Sequence, residues 1–177
     1  MDTINTILSR KSVRSYTGEK ISENDLNTIL KSAYASPVGL GKYDSIHLTV
    51  VENQELLQSI DIAATKLFGK PDMHPLYGAP TLVIVSSTIS DVNLSNVAYS
   101  NAAIMVHNMA LTAVELGIGS CYIWGAMAAI NAESSLVKQL NLPDDFIPCC
   151  GIILGKSNVE YSLRNIPDNR VGTNFSK

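Results

Sequence analysis

A chain of 177 residues, 46% hydrophobic and 16% charged, is long enough for one domain with its own core and too sparsely charged for disorder. Thirteen Lys and Arg against sixteen Asp and Glu leave a net charge of -3, and the pI near 5.5 excludes the basic footprint of a nucleic-acid binder. No apolar run reaches the ~18 residues that span a bilayer, and the opening MDTINTILSRKS lacks the apolar core and cleavage site of a signal peptide, so a cytoplasmic protein is expected.

In chain order, Ile4, Ile7 and Leu8 form one face of a first helix that ends at the basic stretch RKSVRSY, residues 10–16. A second helix starts at Ser22 as N-cap, with Asp25 in the capping-box position and Ile21 with Leu26 as a hydrophobic staple. Leu26, Ile29, Leu30 and Ala33 continue its apolar face to a stop near Ser36 and Pro37. The loop SPVGLGKYDS leads to a β-branched strand, IHLTVV at 46–51. Asn53 caps a third helix bearing Leu56, Leu57, Ile60, Ala63, Ala64 and Leu67, and a loop rich in Pro and Gly precedes the strand TLVIVSS at 81–87.

The longest helix is expected from Ser95 to Leu116, apolar around nearly its whole circumference. One small domain can hardly bury such a helix, and a subunit interface is its natural complement. GIGSCYIWG follows, then a helix capped near Asn131 and the strand CCGIILG at 149–155. Strands separated by helices indicate an α/β or α+β layer structure, a choice that chain order leaves open, and residues 1–177 read as a single domain.

Familiar catalytic patterns are missing. GLGK at 39–42 lacks the upstream Gly and the following Ser or Thr of a phosphate loop, and GIGSCY at 117–122 follows a helix and has Tyr122 where a dinucleotide site needs a small residue. His47, His74 and His107 are scattered, and no metal site is expected. Cys121, Cys149 and Cys150 have no ligand spacing and read as inert buried thiols rather than redox groups. Chemistry without catalytic side chains points to a bound cofactor, for which the protein supplies position and charge. In RKSVRSY, arginine offers a planar fork to phosphate, and an extended backbone would project Ser12 and Arg14 to one side. Three cations in five residues equally describe a solvated surface.

RKSVRSY, APTLVIVSS, the helix NAAIMVHNMALTAVELGIGS and the late strand ending in Gly155 together resemble, in order, the FMN-dependent nitroreductase family. The resemblance implies an α+β fold with a central mixed or antiparallel sheet flanked by helices. It also implies a homodimer with a helical interface, FMN bound between subunits, and NAD(P)H reducing nitroaromatic, quinone or related acceptors through the flavin. By the same resemblance Arg10 lies at the FMN phosphate, Ser12 at the phosphate or ribityl chain and Arg14 at the pyrimidine edge, with Lys11 a further cofactor-binding residue. Ile123, Trp124 and Gly125 pass the flavin face, with the Trp124 N–H toward N5, although the residues alone also allow Trp124 as a core anchor. Arg170 supplies a further phosphate cation, with Arg164 as its substitute, and Asp168 stands where some members carry Lys. The chain departs from the family at 40–44, where Leu40, Lys42, Tyr43 and Asp44 replace a usual Asn-containing segment. Pro37, Val38, Gly39 and Leu40 retain backbone and apolar contacts to the flavin in this reading. Two alternatives stay open: a flavin carrier or redox sensor without turnover, and a protein that has lost the flavin.

Overall fold

LVIV, residues 82–85, is apolar at every position, and such a run suits a strand paired at both edges and covered on both faces. A computed structural model of the chain describes residues 2–89 and 95–176. Its strands are β1 (Ile46–Val51), β2 (Thr81–Thr88), β3 (Gly119–Ile123) and β4 (Phe146–Gly155). The helices are α1 (Thr3–Ser9), α2 (Glu23–Tyr34), α3 (Gln54–Phe68), α4 (Ser95–Glu115), α5 (Gly125–Ala132) and α6 (Ser134–Gln139). The strand order is β1-β2-β4-β3, and each neighbouring pair is antiparallel. Among the described residues the sheet is thus antiparallel rather than mixed, and the fold is α+β.

Alternation along the central strands divides the core in two. Leu82, Ile84 and Ile153 face α3, α5 and α6, packing with Ile60, Ala64, Met127 and Ile130. Val83, Val85, Ile152 and Leu154 face α2 and α4, packing with Ile29, Ala33, Met105, Val106 and Met109.

Local chemistry sets the helix starts. Ser22 Oγ accepts the Asp25 N–H at 3.1 Å, and Asn53 Oδ1 accepts the Leu56 N–H at 2.9 Å. Asp25 departs from a full capping box: one methylene shorter than Glu, its carboxylate takes the Ser22 hydroxyl at 2.7 Å. The helix expected near Asn131 is two helices. Asn131 lies in the last turn of α5 and donates to the Pro148 carbonyl at 2.9 Å, while Glu133 starts α6 without a side-chain cap bond. Leu67 is exposed, because α3 turns only Leu57, Ile60, Ala63 and Ala64 fully inward. Helix α4 buries one face, and Val97, Tyr99 and Ile104 stay exposed on the single chain.

The edge of β3 left free by β4 is covered by the basic stretch. The Val13 N–H donates to the Ser120 carbonyl at 2.8 Å. The Tyr16 ring lies over Gly119 and Gly155, which are partners in the β3–β4 register. A Cβ at Gly155 would stand 2.7 Å from Pro80 Cδ and 3.0 Å from Tyr16 Cδ1, and one at Gly119 would stand 3.1 Å from Tyr16 Cε1. The C-terminal tail then runs beside this strip: Thr17 N–H donates to Lys156 O at 3.0 Å, and Lys156 N–H to Glu19 O at 3.2 Å. No helix among the described residues is long and apolar enough to cross a membrane.

The glycine pair is therefore a packing requirement. Gly155→Ala is expected to destabilise the fold by about 1–3 kcal/mol through overpacking, read as a lower denaturant midpoint with an unchanged slope. An unaltered midpoint would show that Tyr16 and Pro80 yield freely.

Candidate functional site

Because Val13 points into the core and is 1% exposed, its neighbours Ser12 and Arg14 take the outward side of the strip. Arg10 ends α1, its N–H donating to the Thr6 carbonyl at 3.0 Å. Lys11 turns to the tail, where Nζ donates to the Glu160 carbonyl at 2.5 Å and lies 5.9 Å from the Tyr161 ring centroid. The Arg14 guanidinium lies over the Tyr77 ring, with Cζ 5.9 Å from its centroid. Tyr16 is half-buried, and the lost hydration holds its phenol far above the usual range, so its hydroxyl stays protonated and donates to the Val13 carbonyl at 2.9 Å.

The tail brings a second cation to Arg10. Arg164 Nε donates to the Leu8 carbonyl at 2.9 Å and Nη2 to the Ile7 carbonyl at 3.4 Å, so it caps the carbonyl end of α1, whose last turn has no basic residue. Lost hydration, and then the like charges of Arg10 and Arg170, lower the Arg164 pKa. Arg170 lies in the turn closed by its N–H to the Pro167 carbonyl at 3.1 Å. Among the described residues, the ion pairs are Lys20–Glu52, Lys156–Glu19 and His74–Asp61, and none involves Arg10, Arg14, Arg164 or Arg170. Like charges gathered without a carboxylate repel one another, and a compact anion such as a phosphate group relieves that repulsion while accepting several charge-assisted bonds.

Other candidate residues lie elsewhere on the chain. Val38 is buried, and Gly39 donates its N–H to Asn101 Oδ1 of α4 at 3.1 Å. A Cβ at Gly39 would stand 3.0 Å from Val97 Cγ1, so the glycine permits this close approach. Leu40 has φ 58 and is 91% exposed, an unfavourable conformation and an unfavourable exposure for leucine. Pro37 is exposed, and the Tyr43 hydroxyl closes the loop on the Ser36 carbonyl at 3.2 Å. Among the described residues, no hydrogen bond or ion pair joins 37–40 to Arg10 or Arg14. Ile123 is buried at the end of β3, whereas Trp124, at the junction with α5, is 73% exposed, which excludes it as a core anchor of the single chain. Its ring centroid is 6.1 Å from that of Phe68. Phe68 also crowds Gly125, where a Cβ would be 3.3 Å from Phe68 Cε2.

Sequence reasoning missed Tyr77 and the aromatic surroundings of Arg10. Tyr122 sends its hydroxyl to the Ala103 carbonyl at 3.2 Å, and its ring lies 6.3 Å from that of His107, which is on the exposed side of α4 rather than buried. The Pro- and Gly-rich loop before β2 signalled a turn there, but no local pattern set Tyr77 against Arg14. Cys149 and Cys150 are pushed up to about 11 by burial, so both remain thiols at neutral pH. Among the described residues no His, Cys, Asp and Glu group could hold a metal ion.

Partial burial, then the Arg10 charge, lowers the His107 pKa below its usual 6.5, so the folded chain disfavours the imidazolium. The unfolded state takes up this proton first as pH falls, and the resulting loss of stability develops downward from pH 6.5. NMR titration of the apoprotein is expected to place the His107 midpoint below 6.5, and Arg10→Gln to raise it. An unmoved midpoint in Arg10→Gln would separate the two groups.

The nitroreductase family model matches residues 7–156. An FMN reductase (NADPH) from Bacillus subtilis (strain 168) is 26% identical over 184 residues, covering 96% of this chain and 72% of the relative. A solved nitroreductase with bound FMN from Desulfitobacterium hafniense DCB-2 has the same fold, with a TM-score of 0.83 at 23% identity over 99% of this chain and 100% of the other. A nitroreductase with bound FMN from Bacteroides fragilis NCTC 9343 has a TM-score of 0.81 at 26% identity, again over 99% and 100% of the two chains. The family match takes in the basic strip, its glycine bed and the complete four-stranded sheet, and the chain belongs to the nitroreductase family.

Proposed function

We propose that the protein is an FMN-dependent oxidoreductase that takes electrons from NAD(P)H and passes them to a small acceptor such as a nitroaromatic or a quinone. The observation that carries the reading is the group of Arg10, Arg164 and Arg170, cations without a carboxylate partner in a nitroreductase-family chain. Their donor set fits a phosphate ester. Bound FMN would supply the two-electron chemistry, so the absence of an acid–base or nucleophilic constellation is in keeping with the reading. Donor and acceptor would then occupy the same face in turn.

The residues divide the work by chemistry. Arg10, Arg164 and Arg170 would hold the phosphate, with Ser12 donating to the phosphate or ribityl chain. Lys11, already bonded to Glu160, fastens the tail that carries Arg164. Arg14 would place positive charge at the pyrimidine edge, where reduction adds negative charge, and so favours the reduced form. Ile123, Trp124 and Gly125 would border the ring system, with the Trp124 N–H toward N5.

We also propose a homodimer. Val97 and Ile104 leave an apolar stripe on α4, and the strained turn at Pro37, Val38, Gly39 and Leu40 presents an almost wholly exposed leucine to solvent. A second copy would cover both, and would bring its turn to the first copy's flavin. The three free thiols fit a reducing cytoplasm.

Freshly purified protein is expected to be yellow and to release roughly one FMN per chain; colourless protein that cannot be reconstituted would overturn the reading. NAD(P)H consumption with added acceptors separates an enzyme from a flavin carrier. Arg14→Ala is expected to weaken FMN binding about tenfold and to lower the midpoint potential of the bound flavin. For the dimer, sedimentation is expected to give two chains per particle and Ile104→Glu to shift it toward one; a monomer in both would remove the interface.

A further inference from the structure

Tyr77 stands in the turn HPLYG between α3 and β2, with its backbone in the left-handed region at φ 50. A bulky residue there is strained unless its surroundings hold it, and such strain often marks a working position. The surroundings here are specific. The Thr65 hydroxyl of α3 donates to the Met73 carbonyl. Asp61, one turn earlier on α3, accepts the Leu76 N–H through Oδ1 at 2.9 Å and meets His74 Nδ1 through Oδ2 at 2.7 Å. The Tyr77 N–H closes the turn on the His74 carbonyl at 2.9 Å, and the Leu76 side chain is buried beneath it. One carboxylate thus grips the turn at two points, His74 and Leu76, and the ring so placed is the one facing Arg14.

Neither the tyrosine nor the clamp has a part in the assignments above. Arg14 is exposed and has no carboxylate partner among the described residues, so its charge would otherwise be spread over many rotamers and spent on water. An aromatic face narrows that spread and partly desolvates the cation. The His74 bond needs only an Nδ1 proton, which the neutral ring can carry, so the clamp does not require imidazolium.

We infer that Asp61 is a positioning residue which, through the 74–77 turn, sets Tyr77 against Arg14 and thereby fixes the cation at the flavin edge. The inference rests on the FMN reading proposed above. A merely structural Asp61 would alter stability without moving the flavin potential.

The test titrates apoprotein variants with FMN by flavin fluorescence and measures the midpoint potential of each reconstituted protein. Tyr77→Phe keeps the ring face and is expected to match wild type. Tyr77→Leu is expected to weaken FMN binding about two- to five-fold, the scale of an exposed cation–π contact, and to lower the potential. His74→Ala, at an exposed position, is expected to shift both in the same direction by less. Asp61→Ala is expected to shift them as far as Tyr77→Leu, and Asp61→Asn, which keeps an acceptor for Leu76, to recover part of the loss. In an Arg14→Ala background Tyr77→Leu is expected to add nothing, since the two act as a unit. The inference is overturned by a silent Tyr77→Leu, by an equal loss in Tyr77→Phe, or by a His74→Ala protein with unchanged affinity and potential. The Tyr77 and His74 variants decide it even if Asp61→Ala does not fold. Wild-type protein that binds no FMN would bring down the FMN reading and this inference together, whereas normal wild-type binding with silent variants would bring down this inference alone.

Discussion

The site hangs on a short contact: the Val13 N–H on the Ser120 carbonyl, with the Tyr16 ring laid across the paired glycines of β3 and β4. An edge strand offers a row of unsatisfied backbone groups, and the basic strip takes up one of them, the Ser120 carbonyl. Once Val13 is buried, the two-residue period of an extended chain turns Ser12 and Arg14 outward. Any side chain larger than hydrogen at Gly119 or Gly155 would push against Tyr16 and tilt the strip. The outward side of Arg14 is thus a consequence of Val13's burial on the opposite side of the backbone.

A second constraint acts through the tail. Arg164 is held by two carbonyls at the end of α1, and this bond uses the negative end of the helix to offset part of the repulsion from Arg10. Lys11 on Glu160 and Ser157 on the Ser15 carbonyl fasten the same tail along the strip. The cations therefore converge because two distant chain segments, the N-terminal strip and the C-terminal tail, are tied together, and the tie leaves their charge unneutralised. Folding energy elsewhere, in two apolar layers around the sheet, is what tolerates such a cluster.

Helix α4 links these features to assembly. Its inner face packs on β2 and β4, its Asn101 receives the Gly39 turn, and its outer side carries both His107, near Arg10, and exposed Val97 and Ile104. The apolar residues it leaves exposed, Val97 and Ile104, are those that the proposed second copy would cover.

Much of this was legible in the sequence wherever the governing interaction is local. Ser22 and Asn53 announce α2 and α3 because a cap binds an amide three residues on, and TLVIVSS announces a strand by its short apolar run. The arginines and serine of the basic strip were visible by type and spacing. Tertiary structure alone decided the rest. It chose an antiparallel sheet with β4 between β2 and β3, split the helix expected near Asn131, exposed Trp124, joined Arg164 to Arg10, and set Tyr77 over Arg14. Each of these depends on residues far apart in the chain or on a turn held from another element, and no short-range period or cap records such a contact.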